Sequence, residues 1–213
     1  MRNAGYTPSM KKELALVISG GSGTVLAQRF AVRALESGQV SVLHIVFTEP
    51  ACLVLAYELG PKWGKPQGFK QQLPVTDELR ELVQVWSDAD LMAPVSSGSH
   101  LLGGTVILPC SAGMAGSLAN GISRGLGQRV GDVALKQRWP LVIGIRETPM
   151  SAILLENLLT LARAGASILP PVPAFYIDRK NEDSYELFLD HYCLRALDLV
   201  GIDISGPGLR WRG

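Results

Sequence analysis

Ser19-Gly20-Gly21-Ser22-Gly23-Thr24 follows the apolar run Leu14-Ala15-Leu16-Val17-Ile18 and precedes residues 25–36, where apolar side chains recur at helical spacing. This order predicts a strand, a glycine turn and a helix start. Glycine reaches positive φ without steric cost and lets a ligand approach the main chain. The free N–H groups of a helix's first turn favour an anion such as phosphate, and Ser22 adds a hydroxyl. The spacing is not the dinucleotide pattern Gly-x-Gly-x-x-Gly, because no glycine stands at the third place. It also lacks the Gly-Lys-Ser/Thr ending of a P-loop. On this stretch alone, a mononucleotide phosphate site and a plain structural turn both remain open.

Working outward, strands are expected at 13–19, 40–48, 105–109, 140–145 and 166–169. Helices are expected at 24–37, 50–58, 77–85, 131–138, 151–163 and 182–200, and another from the turn at 110–114 to about 123. Residues 62–74 read as a loop, and residues 1–12 as a polar, flexible segment. Strands alternate with helices, and the central strands are apolar without alternation. That pattern belongs to an α/β fold: one parallel sheet with both faces covered by helices. A single domain spans 13–213, C-terminal helix included, with no repeat or linker. Ligands of such sheets sit beyond the carboxyl ends of the strands. The glycine–serine loops at 20–23, 96–99 and 111–113 are all expected there.

The chain has 213 residues, 47% hydrophobic and 18% charged, which leaves apolar surplus for a subunit interface. A net charge of +1 points to neither nucleic acid nor an anionic membrane. Cys52, Cys110 and Cys193 lie far apart, as expected in a reducing, cytoplasmic compartment. No apolar signal core follows Met1, and no apolar run reaches the roughly 18 residues of a membrane span. His44, His100 and His191 are not spaced with each other or with Cys for a metal, so no metal site is expected. The surroundings of Ser22 lack the Gly-x-Ser-x-Gly elbow of a serine nucleophile.

Several charged groups are candidates for chemistry. Arg129 and Lys136, two helical turns apart, share a face, either as a basic group for a ligand or as a solvated surface. Arg146-Glu147-Thr148-Pro149 closes an apolar strand, where a charged pair is solvated, mutually paired or bound to ligand. Arg146 suits planar recognition of phosphate or carbonyl, and Glu147 is a candidate proton carrier. Glu58 and Arg195 read as surface charges by themselves. Pro170-Pro171-Val172-Pro173-Ala174-Phe175-Tyr176 is a rigid turn delivering two aromatics, of which Tyr176 can donate to a phosphate.

The ordered set Gly20-Gly21-Ser22-Gly23, Met92-Ala93-Pro94 with Ser97-Gly98-Ser99, Pro109-Cys110-Ser111, Asp132-Val133-Ala134-Leu135-Lys136, Arg146-Glu147-Thr148-Pro149, Leu155-Glu156-Asn157 and residues 170–176 resembles the UbiX-type flavin prenyltransferases, formerly called 3-octaprenyl-4-hydroxybenzoate carboxy-lyases. The resemblance covers about residues 13 to 200. It implies a Rossmann/flavodoxin-like, doubly wound subunit in a homo-oligomer, typically a dodecamer, with FMN at the subunit interface. It implies the reaction of reduced FMN with dimethylallyl phosphate to give FMN prenylated at N5 and C6, with release of phosphate and no metal. The product would serve a UbiD-type decarboxylase, often in ubiquinone synthesis.

By the same resemblance, Gly20, Gly21, Ser22, Thr48, Ser111, Ala112, Gly113, Met114 and Arg146 hold FMN. Tyr176, Arg195, Lys136, Arg129 and the turn Ser97-Gly98-Ser99 take the prenyl phosphate. Glu147 and Glu58 handle protons, supported by Ser22. Leu91 and Leu154 stand where relatives place Trp and His, which bears on the shape of the prenyl pocket. Two alternatives stand beside this reading. An FMN-dependent cysteine decarboxylase would carry a His early in the first helix and a Pro-Ala-Ser-Ala-Asn-Thr turn, both missing here. A non-catalytic flavin carrier would leave the basic and carboxylate groups without a task.

Overall fold

The structure, a computed structural model, describes residues 11–174 and 184–204. Strands β1 (Lys12–Ile18), β2 (Val40–Phe47), β3 (Val83–Ser87), β4 (Gly104–Cys110), β5 (Leu141–Ile145) and β6 (Ser167–Ile168) form one sheet in the order β3-β2-β1-β4-β5-β6. Every pairing is parallel. This is the Rossmann order, and it reverses between β1 and β4, where such sheets place their ligand crevice.

The helices are α1 (Thr24–Glu36), α2 (Glu49–Glu58), α3 (Pro66–Gln72), α4 (Asp77–Glu81), α5 (Ala112–Ala119), α6 (Leu126–Gln137), α7 (Ala152–Arg163) and α8 (Ser184–Leu199). Leu14, Leu16 and Ile18 of β1 pack in one core with α1, α2, α3 and α8. Ala15 and Val17 face the other core, with α5, α6 and α7. Burial on both faces explains why β1 and β4 carry no polar alternation. Asp190 of α8 accepts from Arg29 at 3.2 Å and from Arg33 at 2.9 and 2.6 Å, and Glu186 pairs with Arg29. These contacts tie the last helix to α1.

Several boundaries differ from the sequence reading, among them the end of α5 at Ala119 rather than about 123. Strand β1 starts at Lys12, inside the segment expected to be loose, and the Lys12 N–H bonds Gln39 O at 2.8 Å. Residues 62–74 are not a plain loop: they contain α3, because Phe69 is buried against Phe47 and Trp63, with ring centroids 5.3 and 5.4 Å apart. Residues 77–85 are helical only to Glu81. From Val83 the chain pairs with Leu43–Phe47 of β2, and sheet pairing overrides local helix propensity. Helix α6 begins at Leu126 rather than 131. Gly127 and Gly131 face inward, and a Cβ there would meet Val17 at 2.9 Å and Leu118 at 2.8 Å. These glycines permit close packing; they do not break the helix.

Candidate functional site

The β1–α1 turn is built for an anion. Gly23 caps α1 with φ 92° and ψ 32°, a left-handed conformation that glycine adopts without strain, and it offers no side-chain acceptor. The acceptor comes from the far end of α2. The Glu58 carboxylate receives the Gly23 N–H at 3.0 Å, the Thr24 N–H at 2.8 Å and the Thr24 hydroxyl at 2.7 Å. Burial pushes the Glu58 pKa up. The hydrogen bonds from the Ser22 and Thr24 hydroxyls and from the Thr24 and Gly23 N–H groups outweigh it and hold the pKa below the usual carboxylate value. Glu58 is therefore ionised at neutral pH, its charge facing the start of α1.

Two further helices start at neighbouring strand ends. Thr48 caps α2 after β2, its hydroxyl accepting from Ala51 N at 3.3 Å. Ser111 caps α5 after β4, accepting from Met114 N at 3.2 Å. Since β1 lies between β2 and β4, three helix N-termini gather at the carboxyl edge of three adjacent strands. Ser19, missed by sequence reasoning, locks two of these loops together. It donates to Pro109 O at 2.9 Å and accepts from Ser111 N at 2.8 Å. Its only sequence signal is a polar residue closing an apolar strand.

The first two glycines let the turn pack closely against its neighbours. A Cβ on Gly20 would lie 2.6 Å from Pro50 Cβ, and one on Gly21 3.3 Å from Pro109 Cβ. Gly113, with Ala112 at the start of α5, faces open space. Arg146 follows β5, its N–H bonded to Cys110 O at 3.2 Å. Its Cγ lies 3.9 Å from the place a Gly23 Cβ would occupy, so the side chain reaches back across β4 to the β1 loop. Its Nε is buried without a partner among the described residues. Such a group carries a desolvation cost of about 1–3 kcal/mol until an acceptor arrives. Glu147 is half-buried, and its Oε1 accepts from Thr148 N at 3.2 Å. Arg146 and Glu147 form no ion pair with each other, so a mutual pair does not hold this turn. The open face at Gly113 and the buried Arg146 guanidinium beside the glycine turn, its Nε without a partner among the described residues, fit a flavin mononucleotide.

Among the described residues, Ser97, Gly98, Ser99 and Lys136 do not join this cluster within one protomer. Ser97, Gly98 and Ser99 precede β4 and lie at the amino edge of the sheet, not at a strand's carboxyl end, because residues 88–103 return across the sheet before β4 begins. Ser97 and Ser99 share a hydroxyl contact of 2.8 Å. A Cβ on Gly98 would run into Gln137 and would lie 3.3 Å from Lys136 Cε, so Lys136, in the last turn of α6, stands beside the same turn. Arg129 faces that turn too, but it bonds Ser96 O at 3.0 Å and Asp132 at 2.9 Å. Helix α6 spans about 18 Å by its rise per residue, which separates Lys136 from the Gly20 crevice. Arg195 is 55% exposed, with Asp198 3.7 Å away. Tyr176 lies outside the described residues. Leu91 is exposed and Leu154 is buried in the second core.

Sequence spacing also missed a contact between two histidines. His44 and His100 both meet Glu13, at 3.1 and 2.9 Å. Among the described residues, these three form a group whose ligand atoms lie within 4.8 Å of one another.

The chain is similar to known proteins over most of its length. The Flavoprotein family model matches residues 3–184. A flavin prenyltransferase UbiX from Deinococcus radiodurans is 36% identical over 206 residues, covering 96% of both chains. The crystal structure of AnUbiX (PadA1) in complex with FMN and dimethylallyl pyrophosphate superposes with a TM-score of 0.77 at 32% identity, over 95% of this chain and 98% of that one. A dodecameric FMN-dependent UbiX-like decarboxylase from Escherichia coli O157:H7 gives 0.76 at 30% identity, covering 94% and 99%. The FMN-dependent cysteine decarboxylase SpaF, at 17% identity and a TM-score of 0.56, shares the fold alone.

Proposed function

We infer the function from one premise: the chain belongs to the UbiX family of flavin prenyltransferases. It is an enzyme of that class, a flavoprotein that joins a dimethylallyl group to FMN. Bound reduced FMN would supply the nucleophilic N5 and C6 to which that group is joined. The observation that carries the assignment of the site is the buried Arg146 Nε, without a partner among the described residues, beside the starts of α1 and α5 at the β1/β4 switch point.

In this reading Gly20, Gly21, Ser22, Thr48, residues 111–114 and Arg146 bind FMN. Arg146 fixes the flavin through a planar, always-charged donor. Glu147 and Glu58 take up protons during ring closure. Lys136, with Ser97-Gly98-Ser99, receives the phosphate leaving group and stabilises the charge that develops as the allylic C–O bond breaks. Arg129 acts there by holding Ser96 O. Tyr176 and Arg195 complete the phosphate subsite. The donor is dimethylallyl phosphate, and the prenylated flavin passes to a UbiD-type decarboxylase in the cytoplasm. The three unpaired cysteines are compatible with such a reducing compartment.

Lys136 and Ser97-Gly98-Ser99 lie at the edge of the protomer opposite the flavin crevice, so in this reading a complete site draws them from a second copy of the chain. Apolar surface supports such assembly: Leu53 and Tyr57 on α2 are 71% and 92% exposed, and Ile153, Leu155 and Leu159 project from α7. We take the assembly to be a dodecamer, in which the neighbouring copy also shields the allylic cation from water. Anaerobic incubation with reduced FMN and dimethylallyl phosphate tests the reaction. Mass spectrometry should show a flavin heavier by one dimethylallyl unit together with free phosphate; an unchanged flavin overturns the reading.

A further inference from the structure

Glu13 opens β1, His44 lies in β2, and Trp86 lies on the adjacent β3 against the core shared with α5, α6 and α7. His100 enters from the connection into β4. The Glu13 Oε2 atom lies 2.9 Å from His100 Nε2 and 3.1 Å from His44 Nε2. Trp86 Nε1 lies 3.3 Å from His44 Nδ1. An indole N–H can only donate, so Nδ1 of His44 is the acceptor. The proton of the neutral ring is therefore on Nε2, and it is donated to Glu13. Burial pulls the His44 pKa down against the opposing pull of Glu13, which favours this neutral ring.

Two histidines and a glutamate are also a metal-ligand set. Coordination through His44 Nε2, however, would put the ring proton on Nδ1, facing the Trp86 N–H donor against donor. Metal-bound histidine normally gives that N–H to an acceptor. The trio is instead a hydrogen-bond clamp, and what it clamps is the turn before β4. His100 N bonds Ser97 O at 3.2 Å, and Gly103 N bonds Glu13 O at 2.8 Å. From the opposite side Arg129 holds Ser96 O, and Gly98 rests against Gln137 and Lys136.

We propose that Glu13 and His100 are positioning residues for the dimethylallyl phosphate subsite: their 2.9 Å hydrogen bond holds Ser97-Gly98-Ser99, and with it Lys136, in the arrangement that receives the phosphate. The proposal rests on the assignment of that turn and Lys136 to the phosphate given above.

The test uses the assembled, FMN-binding protein and steady-state prenyl transfer at saturating reduced FMN. His100→Ala raises KM for dimethylallyl phosphate about tenfold, while kcat and the FMN Kd stay within about twofold, as expected for loss of one hydrogen bond to a charged group. His100→Gln, whose amide N–H can reach the same carboxylate, restores most of the loss. An unchanged KM in His100→Ala, an equal loss of FMN affinity, or failure of the glutamine to rescue overturns the proposal. Micromolar zinc binding that is lost in His100→Ala, with KM altered by chelator, also overturns it in favour of a metal site. In each of these cases wild-type turnover persists, so the proposal fails alone. Absence of wild-type turnover overturns the functional reading, and this proposal falls with it.

Discussion

Replacing Glu58 with Gln probes the turn on which the site is built. The carboxylate serves as the N-cap of α1 from 35 residues away, taking the Gly23 and Thr24 N–H groups and the Thr24 hydroxyl. Glutamine keeps the shape but offers one acceptor oxygen, and it carries no charge to face the helix N-terminus. A charge-assisted hydrogen bond contributes about 1.5–3 kcal/mol against about 0.5–1.5 for a neutral one, and the dipole adds about 0.3–1 at an exposed end. With water available at this exposed site, the loss is about 1–2 kcal/mol, or roughly 2–8 °C in Tm for a chain of this length. The pH dependence has a definite sign. The folded-state pKa of Glu58 is depressed below the ordinary 4.5. Its stabilisation is thus complete above that value and disappears as pH falls through the folded pKa. Urea unfolding of the FMN-free protein should show the wild type more stable than Glu58→Gln at neutral pH, with the two curves converging as pH drops below 4.5. Equal stabilities at neutral pH, or a difference that persists undiminished in acid, would refute the capping role.

Arg146→Met removes a buried guanidinium whose Nε has no partner among the described residues, yet keeps the apolar stem. The FMN-free variant should be no less stable than the wild type in denaturant, while FMN affinity, read by flavin fluorescence, falls at least about tenfold; retained affinity would remove Arg146 from the flavin site. Gly20→Ala sets a Cβ 2.6 Å from Pro50 Cβ, so the turn or the start of α2 must shift. Its FMN Kd should rise by about tenfold or more, and an unchanged Kd would show that the ligand does not approach this turn. Ser111→Ala removes the acceptor for Met114 N and should cost about 1 kcal/mol in urea unfolding; no loss would mean that water or a neighbouring group caps α5 equally well.

The architecture was legible because the strongest signal, an apolar run ending in glycines and then an amphipathic stretch, lies on β1 at the centre of the sheet. Strand β3 was not legible. Val83-Gln84-Val85-Trp86 is short, abuts the helical turn at Asp77–Glu81, and becomes a strand only because β2 offers it a partner. The start of α6 was missed because Gly127 and Gly131 look like breakers until their packing partners are known. Within the site, glycine and hydroxyl positions at strand ends were readable from local order. The position of Ser97-Gly98-Ser99 at the opposite edge was not, because it depends on the path by which residues 88–103 recross the sheet. Contacts spanning long stretches of sequence, such as Glu58 to Gly23 and His100 to Glu13, leave no trace in spacing at all.

The central claim is that one copy supplies the flavin crevice and another supplies Lys136 and its serine turn. Mixed oligomers test it directly. Lys136→Ala and Glu147→Gln each abolish most turnover when assembled alone, although both still bind FMN. Dissociated, mixed in equal amounts and reassembled, they should recover about a quarter of wild-type prenyl transfer, the fraction of sites that pair an intact crevice with an intact neighbour across a subunit interface. Activity no higher than that of the separate variants would contradict a site shared between copies.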